Sequence, residues 1–240
     1  MFRLLLTIVL CCAAADAAAQ SVTLDLGEGG SLSLQTIQLL ILITVLSLAP
    51  GLAVMLTCFP FMVTVLSILR QAIGVQQAPP NMMIVSLALF LTYFVMEPVF
   101  REAWEAGIQP FSEGITEPST AFTATLAPFE RFMLGRVDAE TVTVIADALP
   151  QERRIDPAAP PLPLLIPAFL LGEIQRGFEV GFLIFLPFLI IDLVIAAILM
   201  SMGMMMVPPA IVALPFKLAF FVVADGWTLL AGALVRGYGP

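Results

Sequence analysis

The sequence contains no histidine and a single lysine, Lys217, among its 240 residues. Without histidine there is no imidazole metal ligand, no Ser-His-Asp relay and no imidazole proton shuttle. Charged residues make up only 12% of the chain, far below the share usual in soluble domains. Lys+Arg number 10 against 18 Asp+Glu, a net charge of −8. No basic patch is visible, which excludes a nucleic-acid binder. Cysteine is confined to Cys11, Cys12 and Cys58. The first two fall in a segment expected to be removed. Cys58 then stands alone in an apolar run, reads as a small buried hydrophobe and leaves no intrachain disulfide.

What is present is apolar: 60% of the residues are hydrophobic. A chain of this size cannot hide that much in one water-soluble core. The composition points to a bilayer or a multi-subunit assembly. Residues 1–19 read as a cleavable signal peptide. Arg3 supplies the positive start, Leu4 to Cys12 is apolar but too short to span, and Ala17-Ala18-Ala19 fits the cleavage pattern. An uncleaved anchor is the alternative. Leu10 before Cys11 argues against a lipoprotein cysteine. Cleavage places the new N-terminus outside the membrane.

Residues 20–35 are polar and glycine- and serine-rich, and are expected to form an exposed N-terminal segment. Residues 36–100 read as a hydrophobic helical hairpin. Leu39 to Leu69 carries no charge; as one helix it would reach about 46 Å against a hydrocarbon core of about 30 Å. Pro50-Gly51 and Pro60 suggest that it is kinked or broken. The turn Ala78-Pro79-Pro80-Asn81 leads to a second apolar stretch, Met82 to Met96, closing at Glu97-Pro98. Residues 101–163 are charged and read as a periplasmic segment. Phe122, Leu126, Phe129 and Met133 recur there at helical spacing and predict an amphipathic helix with a core- or partner-facing stripe. Residues 164–240 form a second apolar hairpin, punctuated by Pro167, Pro187, Pro208-Pro209 and Pro215. An external N-terminus puts the 70–81 link and the 203–210 turn on the inner side. Arg70, with no acid beside it, agrees with the positive-inside rule. The fold class is an all-α integral membrane protein: two proline-broken hydrophobic hairpins with a helical extracytoplasmic insertion. So many prolines in apolar segments imply backbone groups satisfied by other protein, or the broken helices of a transporter.

Ionisable residues in apolar segments usually have a partner or a function. Lys217 has three acids available, Glu173, Asp192 and Asp225. Asp225 is about 12 Å away along one helix, so the partner must come from another helix or another subunit. The acids Asp192, Asp225 and Glu97 are expected to be buried, with an uncertain role. A proton relay is the functional alternative to structural pairing, and pairing is preferred. A second feature is the run Met200-Ser201-Met202-Gly203-Met204-Met205-Met206, which holds five of the 12 methionines. Flexible, polarisable side chains in a ring of such loops suit a soft seal around varied polypeptides. On the residues alone, ordinary gap filling is preferred.

The ordered blocks Ala78-Pro79-Pro80-Asn81, Gln109-Pro110-Phe111-Ser112-Glu113, Pro187-Phe188-Leu189-Ile190-Ile191-Asp192, Gly203-Met204-Met205-Met206-Val207-Pro208-Pro209 and Leu214-Pro215-Phe216-Lys217-Leu218 resemble the FliP family of type III export gate subunits. The likeness runs the length of the chain. Gly172 departs from it, standing where the family usually has Ser or Thr. The resemblance implies a non-enzymatic, cofactor-free and metal-free pore subunit of the flagellar export gate. It would sit in the bacterial inner membrane within the basal body and pass unfolded flagellar subunits. It implies a homo-oligomeric ring, a homopentamer as in the family, completed by FliR and FliQ and joined by FlhA and FlhB. It assigns a pore gasket to Met204, Met205 and Met206, and an inter-subunit pair to Glu173 and Lys217. The signal peptide favours the flagellar branch over the injectisome homologue. A multi-pass ion or proton translocator is the alternative of a different class.

Overall fold

The computed structural model describes residues 34–75, 78–148, 160–204 and 206–238. The expected signal peptide, nearly all of the 20–35 segment, and Met205 lie outside the described residues. Every element among the described residues is helical: α1 (Leu34–Met55), α2 (Phe59–Ile73), α3 (Asn81–Ala103), a π turn (Trp104–Ile108), α4 (Gln109–Ser112), α5 (Pro118–Leu134), α6 (Ala139–Asp147), α7 (Leu162–Ser201), α8 (Pro209–Val223) and α9 (Gly226–Arg236). The chain divides into two compact units, residues 1–49 and 50–240. In the first unit the described part is residues 34–49 of α1, where the Thr44 hydroxyl donates to the Leu40 carbonyl at 2.8 Å. The second unit holds the remaining helices.

Five of the prolines start helices. Pro60, Pro110, Pro118, Pro163 and Pro209 occupy first turns, where the missing N–H has no helical partner to lose. The expected break in the 39–69 run falls at residues 56–58, between α1 and α2, and Pro50-Gly51 lies within α1. Pro167 and Pro187 do not interrupt α7, which runs unbroken for 40 residues. One proline forfeits one backbone bond, whereas a break in an apolar setting would free several groups with nothing to bind. Helix α3 likewise passes Pro98, and with the π turn and α4 makes a continuous helix of 32 residues, Asn81–Ser112, beyond the expected end at residue 100.

Among the described residues two helices are long and apolar enough to cross a membrane, Asn81–Ser112 and Leu162–Ser201; α8 and α9, bent by 62°, make a third if taken as one span. At 1.5 Å per residue α7 is about 60 Å long, twice the thickness of a hydrocarbon core.

Helix α2 is the core. It buries Phe61, Met62, Val65, Leu66, Leu69, Ala72 and Ile73 against α7 and α3. Its closest neighbour is α7, through Gly177 and Gly181. A Cβ on Gly177 would lie 2.9 Å from Thr64 Cβ, and one on Gly181 would lie 3.1 Å from Ile68 Cβ. The glycines four apart let the backbones approach, as small residues do between membrane helices. The register 64 to 177 and 68 to 181 also shows that α2 and α7 run parallel. The connecting helices must therefore return the chain, and the C-terminal ends of α2 and α7 point the same way.

The stripe on α5 faces the core in its later part, where Phe129 packs against the core cluster. The helix forms and Met133 is buried, but Phe122 is exposed, and Ala121 and Pro128 take the inner positions. Gly107 of the π turn packs against this face: a Cβ there would clash with the Thr125 hydroxyl and fall 2.7 Å from the Ala121 carbonyl oxygen, so the turn approaches α5 closely only because residue 107 has no side chain.

Replacing Gly177 by Ala is expected to destabilise the chain by about 1–3 kcal/mol through overpacking, read as a lower unfolding midpoint in detergent. Adding Thr64→Gly should recover most of that loss. Additive losses in the double variant would contradict the close contact.

Candidate functional site

Two charge clusters lie at the two ends of the α2–α7 contact. The first is built on Lys217 of α8, only 6% exposed. Its Nζ donates to the Ala72 carbonyl at 3.0 Å and to Asp192 Oδ2 of α7 at 2.6 Å. The Ala72 carbonyl belongs to the last turn of α2, which ends at Gly74 in the left-handed region, φ 86°. A cation there satisfies an orphan carbonyl and meets the negative end of the helix dipole. Gly74 lies against the ammonium group, the position of a Cβ there being 3.9 Å from Lys217 Nζ, and it is the left-handed backbone that calls for glycine. The other Asp192 oxygen, Oδ1, is buried without a hydrogen-bond partner.

The second cluster is built on Glu173 of α7, 1% exposed. Arg136 Nε and Arg176 Nη1 each approach its Oε1 at 3.4 Å, and the Tyr238 hydroxyl donates to its Oε2. Arg136, just beyond α5, also stacks 4.0 Å over the Tyr238 ring and donates to the Gly237 carbonyl at 3.0 Å. Phe61 of α2 and Phe132 of α5 flank the same ring. Burial, and then the adjacent Glu173 carboxylate, hold the Tyr238 phenol well above its usual range, so it stays a donor. Two guanidinium groups face one carboxylate, a formal excess of one positive charge.

Glu173 and Asp192 are 19 residues apart on α7, about 28 Å along the helix. Glu173 and Lys217 therefore occupy different clusters, each with partners inside the chain. Lys217 takes its acid from another helix, one of the two sources expected. Of the three acids expected to be buried, only Asp192 is partly so. Glu97 is exposed on the single chain and faces Arg101 at 3.6 Å, a surface pair worth little. Asp225 is exposed too. It adopts φ 49° at the bend between α8 and α9 and accepts from the Thr228 hydroxyl at 3.1 Å. The apolar neighbours of Glu97 and Asp225 in sequence predict burial, yet each lies on a helix face or bend that the chain itself leaves open.

The methionine run forms the turn from α7 to α8. Gly203 at φ 74° lets the chain reverse, and Met204 N–H closes the turn on the Leu199 carbonyl at 3.0 Å. Met200, Met202 and Met204 are exposed, and Met206 is 97% exposed. These methionines fill no gap within the single chain.

Sequence patterns alone do not single out Arg136, Arg176, Tyr238 or the Gly177/Gly181 pair. Two signals do exist: Arg176 lies one turn from Glu173, and the glycines have the membrane helix-packing spacing. Nothing in the sequence marks Tyr238 or Arg136.

A sequence model of the FliP family matches residues 42–234. The chain belongs to the FliP family. It is 49% identical over 227 residues to the flagellar biosynthetic protein FliP of Caulobacter vibrioides, covering 94% of this chain and 85% of that protein. It is 42% identical to the protein of the same name from Aquifex aeolicus, over 90% of this chain and 91% of the other. The Bacillus subtilis protein of that name is 39% identical over 85% of this chain and 92% of its own length. The matched FliP segment includes both charge clusters except Tyr238, together with the methionine turn. Gly172, the departure from the FliP pattern, has open space where a Cβ would project, so no contact within the chain is lost there.

Tyr238→Phe removes a donor to a buried carboxylate and is expected to cost about 1–3 kcal/mol, measured as a shift in unfolding midpoint. Lys217→Met should cost less than the about 3–5 kcal/mol typical of splitting a fully buried pair, because the Asp192 side chain is 32% exposed. No loss in either variant would show that the cluster concerned does not hold the fold.

Proposed function

We propose that this chain is a pore-forming subunit of a flagellar type III protein export gate, passing unfolded flagellar subunits across the bacterial inner membrane. The observation that carries the reading is the family match together with a methionine turn displayed outward from the chain. Exposed thioethers on a turn are costly in water and useful where several copies meet. Met204, Met205 and Met206 form the gasket in this reading. The chain works as a homo-oligomeric ring, a homopentamer as the family resemblance implies, with FliR and FliQ, beside FlhA and FlhB in the basal body. It carries out no chemical step. Residues 101–163 face the periplasm, and α7, twice as long as a hydrocarbon core is thick, projects beyond the bilayer.

In this reading Glu173 of one subunit pairs with Lys217 of the next. Each side chain already has partners in its own chain, so the contact forms by sharing or exchange: Lys217 keeps the Ala72 carbonyl while it trades or shares Asp192. The unpartnered Asp192 Oδ1 is left for a donor from outside the chain.

Substituting Met204 to Met206 with Ala is expected to leak small ions through the resting complex and to alter export, measured by conductance and secretion assays. An unchanged seal contradicts the gasket. Single swaps Glu173→Lys and Lys217→Glu should each abolish ring assembly, and the double swap should restore it on native gels. A double swap as defective as the singles argues against that pair. Proton flux in liposomes holding this chain alone, abolished by Asp192→Asn, would favour the translocator instead.

A further inference from the structure

The groove between α3 and α9 has no part in the gasket or in either charge cluster. It is an open trough offering about 770 Å³ between Leu87, Leu91 and Phe94 of α3 and Trp227, Ala231 and Val235 of α9. The α9 wall is low because it carries Ala231 and Gly232. Both walls belong to membrane-compatible helices, since α3 opens the Asn81–Ser112 span and α9 closes the bent third one. One end is cationic. The Arg236 guanidinium folds back over Gly232, with Nη1 3.1 Å from the position of a Cβ there. It makes no ion pair or side-chain hydrogen bond among the described residues. No acid lines the groove.

We propose that this groove binds an anionic phospholipid of the surrounding membrane, with an acyl chain along α3 and α9 and the phosphate on Arg236. An apolar trough beside membrane helices is filled by hydrocarbon at no desolvation cost. An unpaired guanidinium at its mouth prefers a phosphate, which it contacts in a bidentate fork. The aromatic Trp227 at the far end has the amphipathic character of interfacial anchors. The complementarity of charge selects lipid over a neighbouring apolar helix, which would leave Arg236 unpaired.

The test uses the full-length chain purified from membranes in detergent. Native mass spectrometry follows titration with phosphatidylglycerol and with phosphatidylethanolamine of the same acyl chains. Phosphatidylglycerol should bind about tenfold more tightly than phosphatidylethanolamine. Arg236→Gln should erase that preference, the loss of one charge-assisted contact, while Arg236→Lys retains part of it. Ala231→Leu should weaken both lipids by filling the trough. Arg236 is exposed, so the Gln variant keeps the fold, and unchanged helicity is the control. Equal binding of the two lipids, or phosphatidylglycerol binding unaffected by Arg236→Gln, overturns the proposal. So does efficient cross-linking in membranes from Leu91→Cys to a second protein, which would show that protein covers the groove.

Discussion

The close parallel contact of α2 with α7 is the constraint on which the rest of the structure depends. Gly177 and Gly181 bring the two backbones together, and that approach fixes one register. With that register set, Glu173 lies near Phe61 at the start of α2, and Asp192 lies near Ala72 at its end. Glu173 and Asp192 thus meet different sets of partners. Arg136 and Tyr238 close over the first, Lys217 over the second. A shift of one helical turn would displace both clusters by about 5 Å and leave charges buried without partners, at a cost far above that of any single apolar contact.

This arrangement also explains how an apolar chain can be specific. Hydrophobic burial is non-directional and tolerates sliding between helices. The two clusters do not, because their hydrogen bonds hold at only one position. The first cluster joins α5, α7 and the C-terminal Tyr238, and the second joins α2, α7 and α8. Between them lies an apolar contact with no charge. Toward the end of α7 nearer Asp192 the chain reverses at Gly203 and displays its methionines, so the turn is carried by a helix pinned at two points. A seal made by several such turns requires that support, since methionine itself imposes no fixed shape.

Much of this is legible in the sequence. Apolar runs, proline and glycine punctuation and the charged middle segment mark the helical class and the two hairpins. The lone lysine in an apolar helix points to a cross-helix partner, and Asp192 is that partner. Proline is the weaker guide. Pro167 and Pro187 suggest breaks, but a helix in apolar surroundings has more to lose by breaking than by forgoing one bond. Hydropathy averages over neighbours and does not see which face a residue takes, so it does not tell that Glu97 and Asp225 are exposed on the single chain. The Glu173 cluster is hidden for a different reason: Arg136 and Tyr238 are 37 residues before it and 65 after it, and such distant pairings leave no local pattern. The family resemblance names Glu173 and Lys217 but gives no sign of their partners within the chain.

The most direct measurement is cysteine cross-linking of α2 to α7 in the full-length chain, with Cys58 replaced by Ala. The pairs Thr64→Cys with Gly177→Cys, and Ile68→Cys with Gly181→Cys, place the two Cβ atoms near the separation of about 3.5–4.5 Å that a disulfide needs, after a small relaxation. Both should cross-link rapidly in membranes under mild oxidation. The offset pair Thr64→Cys with Gly181→Cys should not. Cross-linking of the offset pair, or none in the two matched pairs, would contradict the register that holds both charge clusters and the methionine turn in place.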